Sequence, residues 1–239
     1  MPKTTVHFAQ LNVLQGEIKL KRMANFPFHI YFEILALLTC LFFWKSSSKS
    51  TLRWFLPYLI FIVFVEIMGW YLPVFLGETN AWMFNISVPI EYIFFSFVFY
   101  SHYRKETNKK FALGFIFLFL IYVVSYSLVK GVYNFNANYL LIGSLAMIVF
   151  SVLYFYEQYI KVDTDNIWSE PMFWIVTGVF LFNAGEFSYN FISKFIIKNN
   201  LDPTIKLFRS INNKLIIVLY LLIAAGFVCL RTTKTYRRA

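Results

Sequence analysis

Seven stretches of roughly 20 predominantly apolar residues, set apart by short polar loops, constrain this chain more than any other feature. They fall at 26–44, 54–76, 83–102, 111–129, 137–160, 172–193 and 207–230. At about 1.5 Å of rise per residue, a helical run of that length matches the hydrocarbon layer of a bilayer. A helix also satisfies every backbone polar group within its own segment, which lipid demands. Composition removes the alternative of a large soluble core. The chain is 59% apolar and 14% charged, and Phe, Trp and Tyr make up 22% of it. A globule of 239 residues has a limited interior and must show the rest of its surface to water. A cytoplasmic enzyme, a disulfide-rich secreted domain and a disordered chain are therefore excluded. The expected fold is all-α: a polytopic bundle of seven transmembrane helices surrounded by lipid.

The loops set the organisation. KSSSKSTLR at 45–53 and RKETNKK at 104–110 are polar breaks too short to hold a soluble domain. One membrane domain is expected over 26–230, after an N-terminal tail at 1–25 and before a basic tail at 231–239. The 1–25 segment lacks the ordered basic, apolar and small-residue regions of a signal peptide. It reads either as a short tail or as an upstream extension of a chain starting at Met23. Seven spans place the termini on opposite sides. Over loops and tails, twelve Lys and Arg then fall on one side, among them Lys45, Arg53, Arg104, Lys110 and Arg231, against eight on the other. The richer side is expected to be the cytoplasm, with the N-terminus outside and the C-terminus inside. Trp44, Trp54 and Trp174 then lie near the inner interface and Trp82 near the outer one. This topology also accounts for the net charge of +10, so no nucleic-acid partner is expected. Cys40 and Cys229 sit in apolar runs near the inner ends of the first and last spans, where reduced thiols are expected.

Polar residues inside the spans carry the functional information, because charge in lipid is costly. Glu33, Glu66, Glu91, Glu157 and Glu186 all fall inside spans, and the seventh span adds Arg209, Asn212, Asn213 and Lys214. Counted from the outer end of each span, Glu33, Glu186 and Lys214 lie roughly 10 Å deep, Glu91 about 12 Å and Glu66 about 15 Å. Five spans thus contribute to one layer in the outer half. Glu157, near the inner end of its span, is expected to snorkel to the interface. Asn183, Glu186, Tyr189, Asn190 and Ser193 form one polar stripe at helical spacing, and Arg209 and Asn213 share a face. Two readings remain open: an outward-facing cleft, or groups that pair simply to hold the bundle together. Pro89, just before Glu91, disturbs the helix ladder, as a kink or as part of a binding site. Gly69, one turn from Glu66, allows close helix approach and turns Glu66 into the bundle.

No Walker, HExxH or GxSxG motif is present, and His7, His29 and His102 are scattered. No catalytic residue, metal ligand or cofactor is assigned. The segments FVEIMGWYL (64–72), NAWMFNISVPIEYIFFSFVFYSHYRK (80–105), NYLLIGSLAMIVFSVLYFYE (138–157) and SEPMFWIVTGVFLF (169–182) together resemble an uncharacterised family of bacterial seven-helix integral membrane proteins. The shared marks are Glu66, Gly69, Asn85, Glu91, Pro171, Trp174 and Gly178, across most of 26–230. The resemblance implies a multi-pass protein of the bacterial cytoplasmic (inner) membrane and transfers no reaction. VPIEYIFF is similar to the PIEE motif of membrane lycopene cyclases, whose carboxylates cyclise a polyene, but Tyr92 replaces the second glutamate and the motif occurs once. Lys214 in the last of seven spans resembles the retinal lysine of rhodopsins, but Ser210 stands where their aspartate does.

The reading is a non-enzymatic sensor or accessory protein with an outward-facing, carboxylate-lined polar cleft. Its candidate ligand-binding residues are Glu66, Glu91, Asn183, Glu186, Arg209 and Lys214. The glutamates would bind a cation, protons or a polar head group, with Arg209 and Lys214 neutralising or gating them. The alternatives are a small proton-coupled transporter and a membrane enzyme acting on an isoprenoid or lipid. Besides the lipid bilayer, the expected partner is a membrane signalling protein or a second copy of the chain.

Overall fold

Apolar runs without strand punctuation build helices, and no strand occurs among the described residues. The computed structural model describes residues 26–47, 50–133, 136–160, 167–199 and 206–236, so the expected 1–25 tail and the last residues of the basic tail lie outside it. Seven principal helices follow: α1 His29–Phe42, α2 Phe55–Tyr71, α3 Ala81–His102, α4 Glu106–Lys130, α5 Ala137–Ile160, α6 Pro171–Lys198 and α7 Lys206–Tyr236. The expected basic tail at 231–239 is thus helical as far as Tyr236.

The helix ends obey local chemistry. Beyond α2 the chain tightens into a π-helical turn over Leu72–Leu76, which holds Pro73. It stops at Gly77, whose φ of 71° is a left-handed conformation that glycine adopts without strain. Gly131, at φ 73°, follows the end of α4 in the same way. Pro171 opens α6, where its missing N–H removes no ladder bond. Pro89 sits buried inside α3 without ending the helix.

Among the described residues, five segments are long and apolar enough to cross a membrane: Thr51–Leu76, Ala81–His102, Glu106–Lys130, Ala137–Ile160 and Arg209–Leu230. The other two expected spans differ for physical reasons. α1 has only 14 residues, about 21 Å at the helical rise, which is less than the hydrocarbon thickness. α6, with 28 residues, is long enough, but Asn183, Glu186 and Asn190 dilute its apolar character. The outside of α4 is apolar. Phe117 is 66% and Leu118 67% exposed, and Ala112 and Phe119 are its buried residues.

Packing closes six helices into a ring. α1 packs on α2 and α7, α2 on α3, α3 on α5, α5 on α6, and α6 on α7. α4 lies against α3 and α5, outside that ring. Aromatic contacts join the helices of the ring. Tyr58 of α2 stacks on Phe94 of α3 at 4.0 Å, and Phe55 meets Phe227 of α7 edge-on at 5.8 Å. α4 is held by Phe115 and Phe119 against Phe150 and Tyr139 of α5.

Glycines set how closely the ring helices approach. A Cβ at Gly69 would lie 3.0 Å from Phe84 of α3, and the Gly69 carbonyl accepts a 2.7 Å hydrogen bond from Asn80 Nδ2. A Cβ at Gly143 of α5 would overlap the Tyr92 ring of α3.

Candidate functional site

At the Ala81 end of α3 the ring encloses a cavity of about 360 Å³. All six ring helices line it and α4 does not. The same end holds the start of α1, the end of α2, the start of α5, the end of α6 and the start of α7, which is why glutamates at those sequence positions share one layer. Glu33 comes from α1, Glu66 from α2, Glu91 from α3 and Glu186 from α6. Glu66 and Glu91 are near neighbours of Glu33, and Glu186 and Glu66 are near neighbours of Glu91. The remaining wall is mostly apolar, with Ile62, Val65, Phe84, Val88, Leu140 and Phe182, relieved by Asn80, Ser87 and Asn212.

Each carboxylate has its own setting. Glu186 is buried and accepts a 3.0 Å hydrogen bond from the Tyr92 hydroxyl, with the Leu140 carbonyl 3.4 Å from the same hydroxyl. Gly143 makes this possible, since the Tyr92 ring occupies the space a side chain there would fill. Glu66, whose side chain is 25% exposed, has Oε2 3.4 Å from His29 Nε2. Glu33 is 1% exposed, and its Oε2 has no hydrogen-bond partner among the described residues. Glu91 is half-buried at the centre of α3, two residues beyond Pro89.

Of the six candidate residues, Glu66, Glu91 and Glu186 converge on the cavity. Asn183 is buried one turn before Glu186, but its Nδ2 donates to Val179 O at 2.8 Å within α6, and it does not line the cavity. Arg209 and Lys214 are exposed and take no part in the lining, so the expected neutralising or gating bases are not in the cavity wall. The reason is rotational for Lys214. The cavity face of α7 carries Asn212, Ile216, Leu219 and Tyr220, and a step of two residues from Asn212 turns about 200° around a helix. Arg209 lies nearer the start of α7 than any of these lining residues. Among the described residues, no Lys or Arg lines the cavity.

The stripe on α6 is partly spent on its own backbone, since Asn190 Nδ2 donates to Glu186 O at 3.0 Å. The Ser193 side chain lies outside those described. Glu157 also departs from expectation. It is 5% exposed rather than snorkelling, and accepts from Arg104 N at 2.8 Å, Lys105 N at 3.2 Å and Asn108 Nδ2 at 2.6 Å. It thereby supplies the negative charge and the acceptors that the start of α4 requires.

Sequence reasoning passed over His29, Tyr92 and Asn212 as site residues and left Glu33 in the glutamate layer without a role. His29 and Glu33 carried a signal in their i, i+4 spacing on α1. Tyr92 carried none in a chain with 16 tyrosines.

The fold and cavity define a helical protein with several helices suited to membrane crossing and a buried, carboxylate-rich chamber between them. Comparison of the chain with protein-family models, curated proteins and solved structures found no match.

Proposed function

We propose that the chain is a seven-span protein of a bacterial inner membrane that binds a small cationic ligand in this chamber, as a non-enzymatic sensor or accessory protein. The observation that carries the reading is the convergence of four glutamates from four helices on one cavity, with no Lys or Arg in its wall among the described residues. A low-dielectric cavity of one sign attracts the opposite charge, and a volume of about 360 Å³ is that of a small-molecule site. Apolar walls beside the carboxylates favour an organic cation over a fully hydrated ion. α1 and α6 complete the seven spans. α1 is short and buries its His29–Glu33 face, and α6 buries Asn183 and Glu186 of its stripe. A sensor of this kind passes its signal to a membrane partner or a second copy of the chain.

The test is binding by the purified full chain of a choline-sized ammonium against its neutral carbon isostere. The ammonium should bind preferentially, and Glu91→Gln and Glu186→Gln should each weaken it roughly 10-fold, as expected when a buried cation loses a charged partner. Equal binding of the two probes would end the reading.

One further observation favours a proton-coupled transporter as the second reading. The Tyr92 hydroxyl donates to Glu186 at the chamber wall, and the His29 imidazole lies 3.4 Å from the Glu66 carboxyl, so two groups able to exchange protons stand next to chamber carboxyls. Uptake of the ammonium into proteoliposomes driven by a pH gradient would select it over sensing.

A further inference from the structure

We propose that His29, Glu33 and Glu66 form a binding site for a divalent transition-metal ion at the α1–α2 wall of the cavity. The proposal rests on reading the chamber as a cation site, and it assigns an ion to one corner of it. His29 and Glu33, four residues apart, share one face of α1, and Glu66 meets them from α2. One ligand atom from each of the three lies within 4.8 Å of the other two.

The separation of His29 Nε2 from Glu66 Oε2, 3.4 Å, is long for a hydrogen bond. It is close to the edge of a tetrahedron whose metal–ligand bonds are about 2.0–2.1 Å, an edge of about 3.3 Å. Glu33 supplies an independent observation. Its side chain is 1% exposed and lines the cavity, and Oε2 lacks a partner among the described residues. An orphaned carboxylate oxygen in so dry a place is costly, and a bound cation satisfies it. His29 Nδ1 is likewise buried without a partner among the described residues, so either ring nitrogen can serve as the ligand atom.

The donor set selects the class of ion. One imidazole and two carboxylates suit zinc and neighbouring first-row divalent ions, whereas calcium takes six to eight oxygens. Three protein ligands leave a coordination position free, and Glu33 and Glu66 both face the chamber, where that position can take water or the ligand. The site is hidden in the sequence because its one histidine stands alone.

The test uses the full chain, purified in detergent, stripped with a chelator and titrated with zinc against a chromophoric competitor. One zinc should bind per chain. His29→Ala and Glu33→Gln should each weaken it by roughly 10-fold or more, while Glu186→Gln, on α6, should keep it. Zinc should also raise the thermal midpoint of the unaltered chain and not that of His29→Ala. Should His29→Ala fail to fold, His29→Gln is measured in its place. A chain that binds no zinc, or a His29 variant that binds it unchanged, overturns the proposal. Zinc lost in Glu186→Gln but kept in the His29 variant overturns it too. The ammonium assay on the same preparations separates the two readings. Preferential ammonium binding without zinc leaves the chamber reading standing and removes the metal, and zinc binding without ammonium preference does the reverse.

Discussion

Tyr92 shows how much a single aromatic hydroxyl can decide in a dry interior. Its ring fits only because position 143 is glycine, and its hydroxyl then gives the buried Glu186 carboxyl a donor. Tyr92→Phe keeps the shape and removes that donor. It should destabilise the solubilised protein by about 1–3 kcal/mol, the usual cost of a buried polar group left unpaired, read as a lower thermal midpoint. Gly143→Ala should reach a similar loss by another route, by pushing the ring away, at about 1–3 kcal/mol for overpacking. The double variant should then cost less than the sum, because both act on one contact. Strict additivity would mean that the ring and the carboxyl are not coupled. At this scale the glutamates were legible in the sequence because an acidic residue in an apolar run needs a reason. Tyr92 was not, because tyrosine is common in this chain and equally at home in a core, a site or a membrane interface.

Helices reveal their faces only where they carry polar residues. The stripe on α6 announced its inward side, and Glu186 faces the chamber as the spacing requires. Along α4, lipid-facing and core-facing sides are equally apolar, so periodicity could not tell which side meets α3 or that the helix stands outside the ring. Depth along the axis was easier to read than rotation about it. Lys214 was placed in the right layer and on the wrong side of α7. Glu157 was misread for a related reason. Its partners are the backbone N–H groups of Arg104 and Lys105, which no side-chain pattern displays. This clasp joins α5 to the α3–α4 turn. Glu157→Gln leaves one oxygen for three donors and sets an amide N–H against the start of a helix. It should cost about 1–3 kcal/mol and speed tryptic cleavage after Arg104 and Lys105. A cleavage pattern unchanged from the parent chain would show that the turn is held by something else.

At the scale of the whole molecule, the direction of the chain through each helix fixes where the chamber opens. The Ala81 end of α3 is next to the loop at 77–80, and α4 finishes at Gly131 on the same face, whereas the α3–α4 turn at 103–105 lies on the opposite one. Helix number followed from hydropathy. The ring order could not, since a bundle in lipid hides its contact faces among equally apolar ones. The sidedness can be tested with single cysteines at exposed positions in a Cys40→Ala, Cys229→Ala background. Thr79→Cys and Tyr133→Cys sit at the chamber end and Thr107→Cys at the other. With seven spans and a cytoplasmic C-terminus, a membrane-impermeant maleimide should label the first two in intact cells and Thr107→Cys only after permeabilisation. The reverse pattern would invert the orientation and turn the chamber toward the cytoplasm, leaving the ring intact. Labelling that placed Thr79→Cys and Tyr133→Cys on different sides would break the alternation of α3 and α4. No single layer could then collect Glu66, Glu91 and Glu186, and the chamber would have to be abandoned with the topology.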